Sequence, residues 1–324
     1  MTAFDVSVIG ELNLDLVLYG LPRSLVLERE HLASDLSITL GSSSAIFAHN
    51  LASLGSKVGF SGCIGDDPFG EICVQRLNEG GVDVSGIRRL NGGTTGLTVI
   101  LPQHKDRYIL TYPGTMYALT ADHLDWNYLA GAKHLHISSY FLQKGIQSQL
   151  PELFRKAKHA MLTISLDTND DPEDRWGSDI QNLFPYLDIL FVNEREACKL
   201  AQTESLERAI DTLAPMVSPL VVKCGAAGAL ARVGDQQFTS PPLVVDLVDS
   251  IGAGDSFDAG FVHQFIRGVS IEECLKFANL AGALSVTRRG GTEAFRDAAV
   301  REAFLKKHGT RPNRSGAPVG DSKP

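Results

Sequence analysis

From residue 134 to residue 286, short apolar runs alternate with longer segments whose apolar residues recur at helical spacing, and few folds accept that pattern. The runs at 134–137, 162–166, 189–192 and 220–224 predict strands. The segments at 145–159, 194–201, 206–217, 255–267 and 271–286 predict helices, with a last one at 297–307. Strands that alternate with helices in this way build a parallel sheet covered on both faces. Residues 5–9 and 57–64 predict strands of the same sheet, and 44–54 predicts a helix stopped by Gly55. Two stretches break the pattern. Residues 12–40 and 94–113 read as β, with Leu14, Leu16 and Leu18 alternating against Asp15, Val17 and Tyr19 as in a half-buried strand. The expected architecture is therefore α/β, a three-layer sandwich around a mostly parallel sheet, with a small β-sheet lid formed by those two insertions. One domain should span 1–307. A disordered tail should follow at 308–324, where Pro312, Pro318 and Pro324 stand among glycines.

Composition narrows the function. The chain has 324 residues, 30 Lys plus Arg against 38 Asp plus Glu, and a net charge of −8, which argues against a nucleic-acid partner. No apolar stretch approaches the ~18 residues of a membrane span. The start carries no basic segment before an apolar one, so no signal peptide is expected. The five cysteines are odd in number and widely spaced without a CxxC pair, as free thiols in a reducing, cytoplasmic setting would be. No Gly-Lys dipeptide occurs, so there is no Walker phosphate loop, and the hallmark triplets of protein kinases are also missing.

The stretch that carries chemistry is Val248-Asp-Ser-Ile-Gly-Ala-Gly-Asp-Ser-Phe-Asp-Ala-Gly260, which follows an apolar run at 243–248, read as a strand, and opens a predicted helix. Gly252 and Gly254 permit a tight turn and a close approach of backbone to ligand. Free N–H groups at a helix start, with the positive end of the dipole, suit a phosphate. Asp255 falls in the first turn, where the helix end favours its charged form and lets it accept a proton. By itself a Gly-Ala-Gly turn is an ordinary strand-to-helix connection; a phosphate cradle beside a carboxylate base is also what phosphorylation of a hydroxyl requires.

The string Asp249-Ser250-Ile251-Gly252-Ala253-Gly254-Asp255 resembles the C-terminal signature of the ribokinase/PfkB family of carbohydrate kinases, Asp-Thr-x-Gly-Ala-Gly-Asp, with Ser for Thr. The resemblance runs from about residue 5 to 307 and implies a ribokinase-like fold. It implies that the amides of Gly252, Ala253 and Gly254 form an anion hole for the transferred phosphoryl group and that Asp255 deprotonates the acceptor hydroxyl. Gly10-Glu11-Leu12-Asn13-Leu14-Asp15 is similar to the family's first motif, which places Asn13 and Asp15 on sugar hydroxyls; an Asx turn at a strand end is the plainer alternative. The segment of Gly41, Ser42, Ser43 and Ser44 occupies the place of the family's Gly-Gly-x-x-x-Asn-x-Ala, but Ser42 replaces a glycine and Ile46 replaces the asparagine. Asp167 and Asn169 resemble the family's strand end that faces substrate. Asn193-Glu194-Arg195-Glu196 matches Asn-x-x-Glu, which implies that Glu196 positions Mg²⁺ through water and that Asn193 meets the nucleotide.

Lys223, Gly225 and Gly228 fall in a turn that borders the nucleotide in the family. Asn279 matches a helix position beside the adenine, although a helix-packing hydrogen bond explains it equally. Ser285, Arg288 and Gly290 resemble a K⁺ loop completed by Asp249 and Ile251. The paired His134 and His136 are better read as packed side chains than as metal ligands, since no third ligand is in view. The resemblance thus implies an ATP- and Mg²⁺-dependent kinase of a small sugar. A nucleoside kinase of the same fold remains open, with Phe47, Tyr108, Tyr112, Tyr140 and Phe141 available for an aromatic pocket, as does a catalytically silent sugar-binding regulator. A small insertion has too little core to bury both faces, so a homodimer joined through the lids is expected.

Overall fold

A computed structural model describes residues 3–103 and 106–309. Thirteen strands occur among them: β1 (Val6–Ile9), β2 (Asn13–Tyr19), β3 (Asp35–Leu40), β4 (Val58–Gly65), β5 (Asp83–Leu90), β6 (Gly96–Gln103), β7 (Asp106–Tyr112), β8 (His134–Ile137), β9 (Thr163–Asp167), β10 (Ile189–Asn193), β11 (Leu220–Lys223), β12 (Ala229–Val233) and β13 (Gln236–Ser240). The helices are α1 (Ser43–Ser53), α2 (Pro68–Glu79), α3 (Trp126–Ala130), α4 (Leu150–His159), α5 (Glu194–Leu200), α6 (Leu206–Leu213), α7 (Ala253–Phe265), α8 (Ile271–Ser285), α9 (Glu293–Arg296) and α10 (Ala298–His308). No helix among the described residues is long and apolar enough to cross a membrane.

Nine strands form the large sheet in the order β13-β12-β11-β10-β9-β8-β1-β4-β5. Its pairings are parallel from β5 to β11, and the last two are antiparallel. Side chains alternate across each strand. Val6 and Val8 thus join a core layer with Phe60, Phe191 and Phe261, while Ile9 joins the opposite layer with Leu135, Leu166 and Phe154. Strand order reverses between β1 and β8, and in such sheets the crevice at the carboxyl ends of the strands flanking that reversal receives ligands. Glu11 after β1 and Ser139 after β8 do line a cavity there.

The insertions form a separate four-stranded sheet, β3-β2-β6-β7. Its register explains its two faces. Ile38, Leu16, Val99 and Leu110 stand in one row across all four strands, and Leu36, Leu18 and Tyr108 belong to the next on the same face. The opposite face carries Thr39, Asp15, Thr98 and Thr111 in a row. The alternation expected for β2 is present, with the roles divided differently: Asp15 and Val17 are buried, and Leu16 and Leu18 are half-buried. The face that matters to the cavity is the one bearing Asn13 and Asp15.

One expectation changes. Residues 243–248 form no strand; Pro241-Pro242 precede them, β13 ends at Ser240, and Val244 and Leu247 are exposed. The hairpin of β12 and β13, unpredicted from the sequence, takes the sheet edge instead. His308 closes α10; residues 310–324, most of the expected tail, lie outside the described residues, as do His104 and Lys105.

Candidate active site

One cavity of about 450 Å³ lies between the two sheets. It is floored by residues 252–255 and roofed by the inner face of the small sheet, including Asp15, Thr98, Arg107 and Thr111. Gly252 caps α7 in the left-handed region, with φ +71°, and a Cβ there would stand 2.6 Å from Gly291 Cα. Glycine is required at that position for both reasons. The first N–H groups of α7 have no partner within the helix, and Gly252, Ala253, Gly254 and Asp255 all line the cavity.

Asp255 is 9% exposed. Burial, with the nearby Asp167 charge, pushes its carboxyl up to about 7, and Lys223 and the Ser43 hydroxyl pull against that rise. The helix start therefore does not dominate its acidity as the sequence led us to expect; desolvation wins. A base with that pKa is matched to proton transfer near neutral pH.

On the small sheet Asn13 donates from Nδ2 to Asp15 Oδ1 at 3.2 Å and to Thr98 Oγ1 at 3.0 Å, and Thr98 bonds Thr111 at 3.2 Å. Burial raises the Asp15 carboxyl to about 7. Gly41 does not line the cavity; any Cβ there would run into the Asp15 carboxylate, so its bare backbone is what lets Asp15 stand where it does. Ser42 and Ser43 do line it. Ser42 also caps α1, accepting from Ala45 N–H at 3.2 Å and donating to Glu11 O at 2.6 Å. Ile46, in the place of the family's asparagine, packs an apolar wall against Gly252 and Gly291.

On the other side Asn193 caps α5, and Glu196 returns the bond to Asn193 N–H at 2.8 Å. The four-residue motif is thus a capping box as well as a cavity wall. Glu196 also accepts from Asn193 Nδ2 and Thr168, and burial, then the Asp167 charge, raises it to about 7. Asn169 and Gly225 reach the cavity. Asp167 is fully buried behind Lys223, and Gly228, with φ +93°, packs against Ser240 O. Asn279 lies in a second cavity of about 1070 Å³ with Pro241, Leu243 and Phe277. Its Nδ2 is held by Ser240 O, Ser240 Oγ and Pro241 O at 2.9–3.0 Å, which is the packing role.

Asp249 accepts from Ile251 N–H at 3.1 Å, Gly290 N–H at 3.0 Å and the Tyr19 hydroxyl at 3.3 Å. Ser285 O accepts from Arg288 N–H, and the Arg288 side chain pairs with Asp297. His134 and His136 are linked through Ser165, with His136 stacked on Phe47.

None of the five candidate aromatic residues lines the main cavity. Tyr108 and Tyr112 are exposed on the outer face of the small sheet, and Phe47, Tyr140 and Phe141 are buried in the core. The apolar wall is made instead by Ile46, Ile100, Ile109, Met116 and Leu142. Sequence reasoning did not single out Arg107 or Thr98. Arg107 donates to Ser250 Oγ at 2.9 Å, tying β7 to the turn before Gly252. Arg107, Ile109 and Thr111 alternate along β7, and that period of two was the signal.

Comparison with known proteins places this geometry in context. The pfkB family carbohydrate kinases match residues 3–298. The chain is 31% identical over 272 residues to an ATP-dependent ribose-1-phosphate kinase of Halopiger xanaduensis, covering 82% of this chain and 86% of that one. Among solved structures it superposes on an E. coli protein provisionally called ribokinase II, in complex with ATP and Mg²⁺. The TM-score is 0.81 at 27% identity, over 94% of this chain and 100% of that one. It also superposes on the ribokinase of Thermotoga maritima, with a TM-score of 0.79 at 25% identity, over 94% and 99%.

Proposed function

As a member of the pfkB family of carbohydrate kinases, the chain is an ATP-dependent sugar phosphotransferase, and we propose that it uses Asp255 as general base and the 252–254 backbone as anion hole. The observation that carries the assignment is one cavity holding a buried carboxylate, the N-terminal end of α7 and the polar row of Asp15, Thr98 and Thr111. The acceptor hydroxyl lies against Asp255, with its neighbouring hydroxyls on Asn13, Asp15 and Ser43. Asp255 takes the proton, the acceptor oxygen bonds to the γ-phosphorus, and the bond to the leaving ADP oxygen breaks. Charge moving onto the phosphoryl oxygens meets the first N–H groups of α7. The ATP phosphates extend past Lys223 and Gly225 toward Asn193.

Mg²⁺ fits this chain, since Glu196 and Asn193 offer oxygen donors to the waters of a hydrated ion, and a cation would favour the charged form of Glu196. When bound it offsets phosphate charge. The residues of the K⁺ loop fit less well: the Asp249 oxygens and Ser285 O are already bonded to N–H groups and Tyr19. No step is routed through that ion. The absence of candidate aromatic residues from the cavity favours a sugar over a nucleoside. An intact Asp255 in a formed cavity favours an enzyme over a silent regulator. A coupled ADP-release screen over sugars, sugar phosphates, sugar acids and nucleosides tests this reading. Turnover with a sugar-class acceptor supports it, and turnover with nucleosides alone overturns the substrate class.

The outer face of the small sheet supports a dimer. Leu36, Ile38, Tyr108, Leu110 and Tyr112 are each 44–56% exposed on one side of that sheet, an apolar area that a second copy of the lid would cover. Light scattering at micromolar concentration should give twice the chain mass of 35.0 kDa. Leu110→Glu should return the monomer. A monomeric wild type ends the dimer proposal and leaves the kinase assignment standing.

A further inference from the structure

A lysine ammonium has three N–H donors to place. Lys223, at the end of β11, places two within the chain: Asp167 Oδ2 at 2.8 Å and Asp258 Oδ2 at 3.0 Å. Among the described residues no acceptor takes the third. Both carboxylate side chains are 1% exposed, whereas the lysine side chain is 14% exposed, and Lys223 lines the cavity that contains 252–255. Its Nζ stands 3.4 Å from where a Cβ on Gly254 would be. The ammonium is therefore fixed from behind and open toward the anion hole. Asp258 sits three residues after Asp255 on α7, so one helix carries both the base and a clamp for the lysine.

Two carboxylates on one buried ammonium would leave a surplus negative charge, which is costly without water. Burial resolves it by pushing the Asp258 carboxyl well above the usual range, beside Asp167. Asp167 stays below its ordinary value despite burial because Lys223 holds it, and Asp258 Oδ1 has no hydrogen-bond partner. The cluster therefore carries less negative charge than two ionised carboxylates would, and the ammonium keeps one N–H without an acceptor among the described residues, on the side of the lysine that lines the cavity.

We propose that Lys223 is a catalytic residue whose third N–H binds the γ-phosphoryl group as it is transferred, and that Asp258, with Asp167, is the positioning residue that holds it there. The proposal rests on the kinase reading of the cavity. Lys223 keeps its proton throughout: Asp255 takes the acceptor proton, the new O–P bond forms, the bond to ADP breaks, and the ammonium accompanies the phosphoryl oxygen. A charge held in place before reaction needs no reorganisation during it.

Calorimetry with Mg-ATP and Mg-ADP, on the full chain, separates this role from a structural one. Lys223→Met should weaken ATP binding roughly 10- to 150-fold, the range for a hydrogen bond to a charged group, and leave ADP binding unchanged. Its kcat should fall on the order of 10²–10³-fold, with the acceptor KM unaltered. Asp258→Asn should lower kcat by a smaller factor and reduce the preference for ATP over ADP in the same direction. Where Lys223→Met fails to fold, the pair Lys223→Met/Asp167→Asn removes the buried anion together with the ammonium and should show the same loss of ATP preference. Equal losses for ATP and ADP, or an unchanged preference in a folded variant, would overturn the proposal. A wild type that binds neither nucleotide would instead remove the kinase reading beneath it.

Discussion

Replacing Asp255 with asparagine is expected to lower kcat by ~10²–10⁴-fold, the usual worth of a general base, with little change in ATP affinity. Asparagine keeps the shape of the side chain and cannot accept the proton. The same substitution should raise thermal stability. In the folded chain burial holds the carboxyl at about 7 against an ordinary value of 3.8. Between those values the folded state binds more protons than the unfolded one, so this group makes stability fall as pH rises from about 4 to 7 and adds no further loss above. The asparagine variant escapes that loss and should melt higher than wild type at pH 8 without ligand. Wild-type kcat/KM should rise as pH passes through about 7 and then level, because the base must first lose its proton. A variant with undiminished kcat would remove Asp255 from the mechanism. One that melts lower at pH 8 would remove the argument from burial.

Asp15→Ala should weaken acceptor binding roughly 10- to 150-fold, the cost of losing a hydrogen bond to a charged group, while nucleotide binding is spared. Asp15 stands on the small sheet, whereas Asn193 and Lys223, proposed to meet the nucleotide, end strands of the large one. The variant also removes the Asn13 partner, which keeps its bond to Thr98, so local structure has a second anchor. Calorimetry with each ligand separately distinguishes the outcomes. A selective loss for the acceptor fits the assignment. Equal losses for acceptor and nucleotide would mean that Asp15 serves the fold instead.

The turn and helix start at 252–255 were legible in the sequence because they are local: the glycines, the first helical turn and the carboxylate are consecutive in the chain. The alternation of apolar runs and helices likewise disclosed the parallel sheet, since both faces of its strands are buried and each strand announces itself. Alternation on β2 revealed a strand, and the resemblance singled out Asn13 and Asp15, which are buried on the face that meets the cavity. The 243–248 run is apolar without being a strand: it follows Pro241-Pro242, and the large sheet ends at β13 before it. The clamp on Lys223 was out of reach for a different reason. Its partners stand 56 and 35 residues away in the chain, on β9 and α7, and strand order together with the packing of α7 on the sheet brings their side chains together.

Transfer of a phosphoryl group to a sugar hydroxyl fixes the stoichiometry of the products. The chain would be incubated with Mg-ATP and an acceptor that gives turnover, and phosphate monoester, ADP and inorganic phosphate would be quantified together by phosphorus NMR. One phosphomonoester formed on the acceptor for each ADP, with inorganic phosphate at background and the product lost in Asp255→Asn, is the predicted result. ADP accompanied by an equal amount of inorganic phosphate and no phosphorylated acceptor would contradict it.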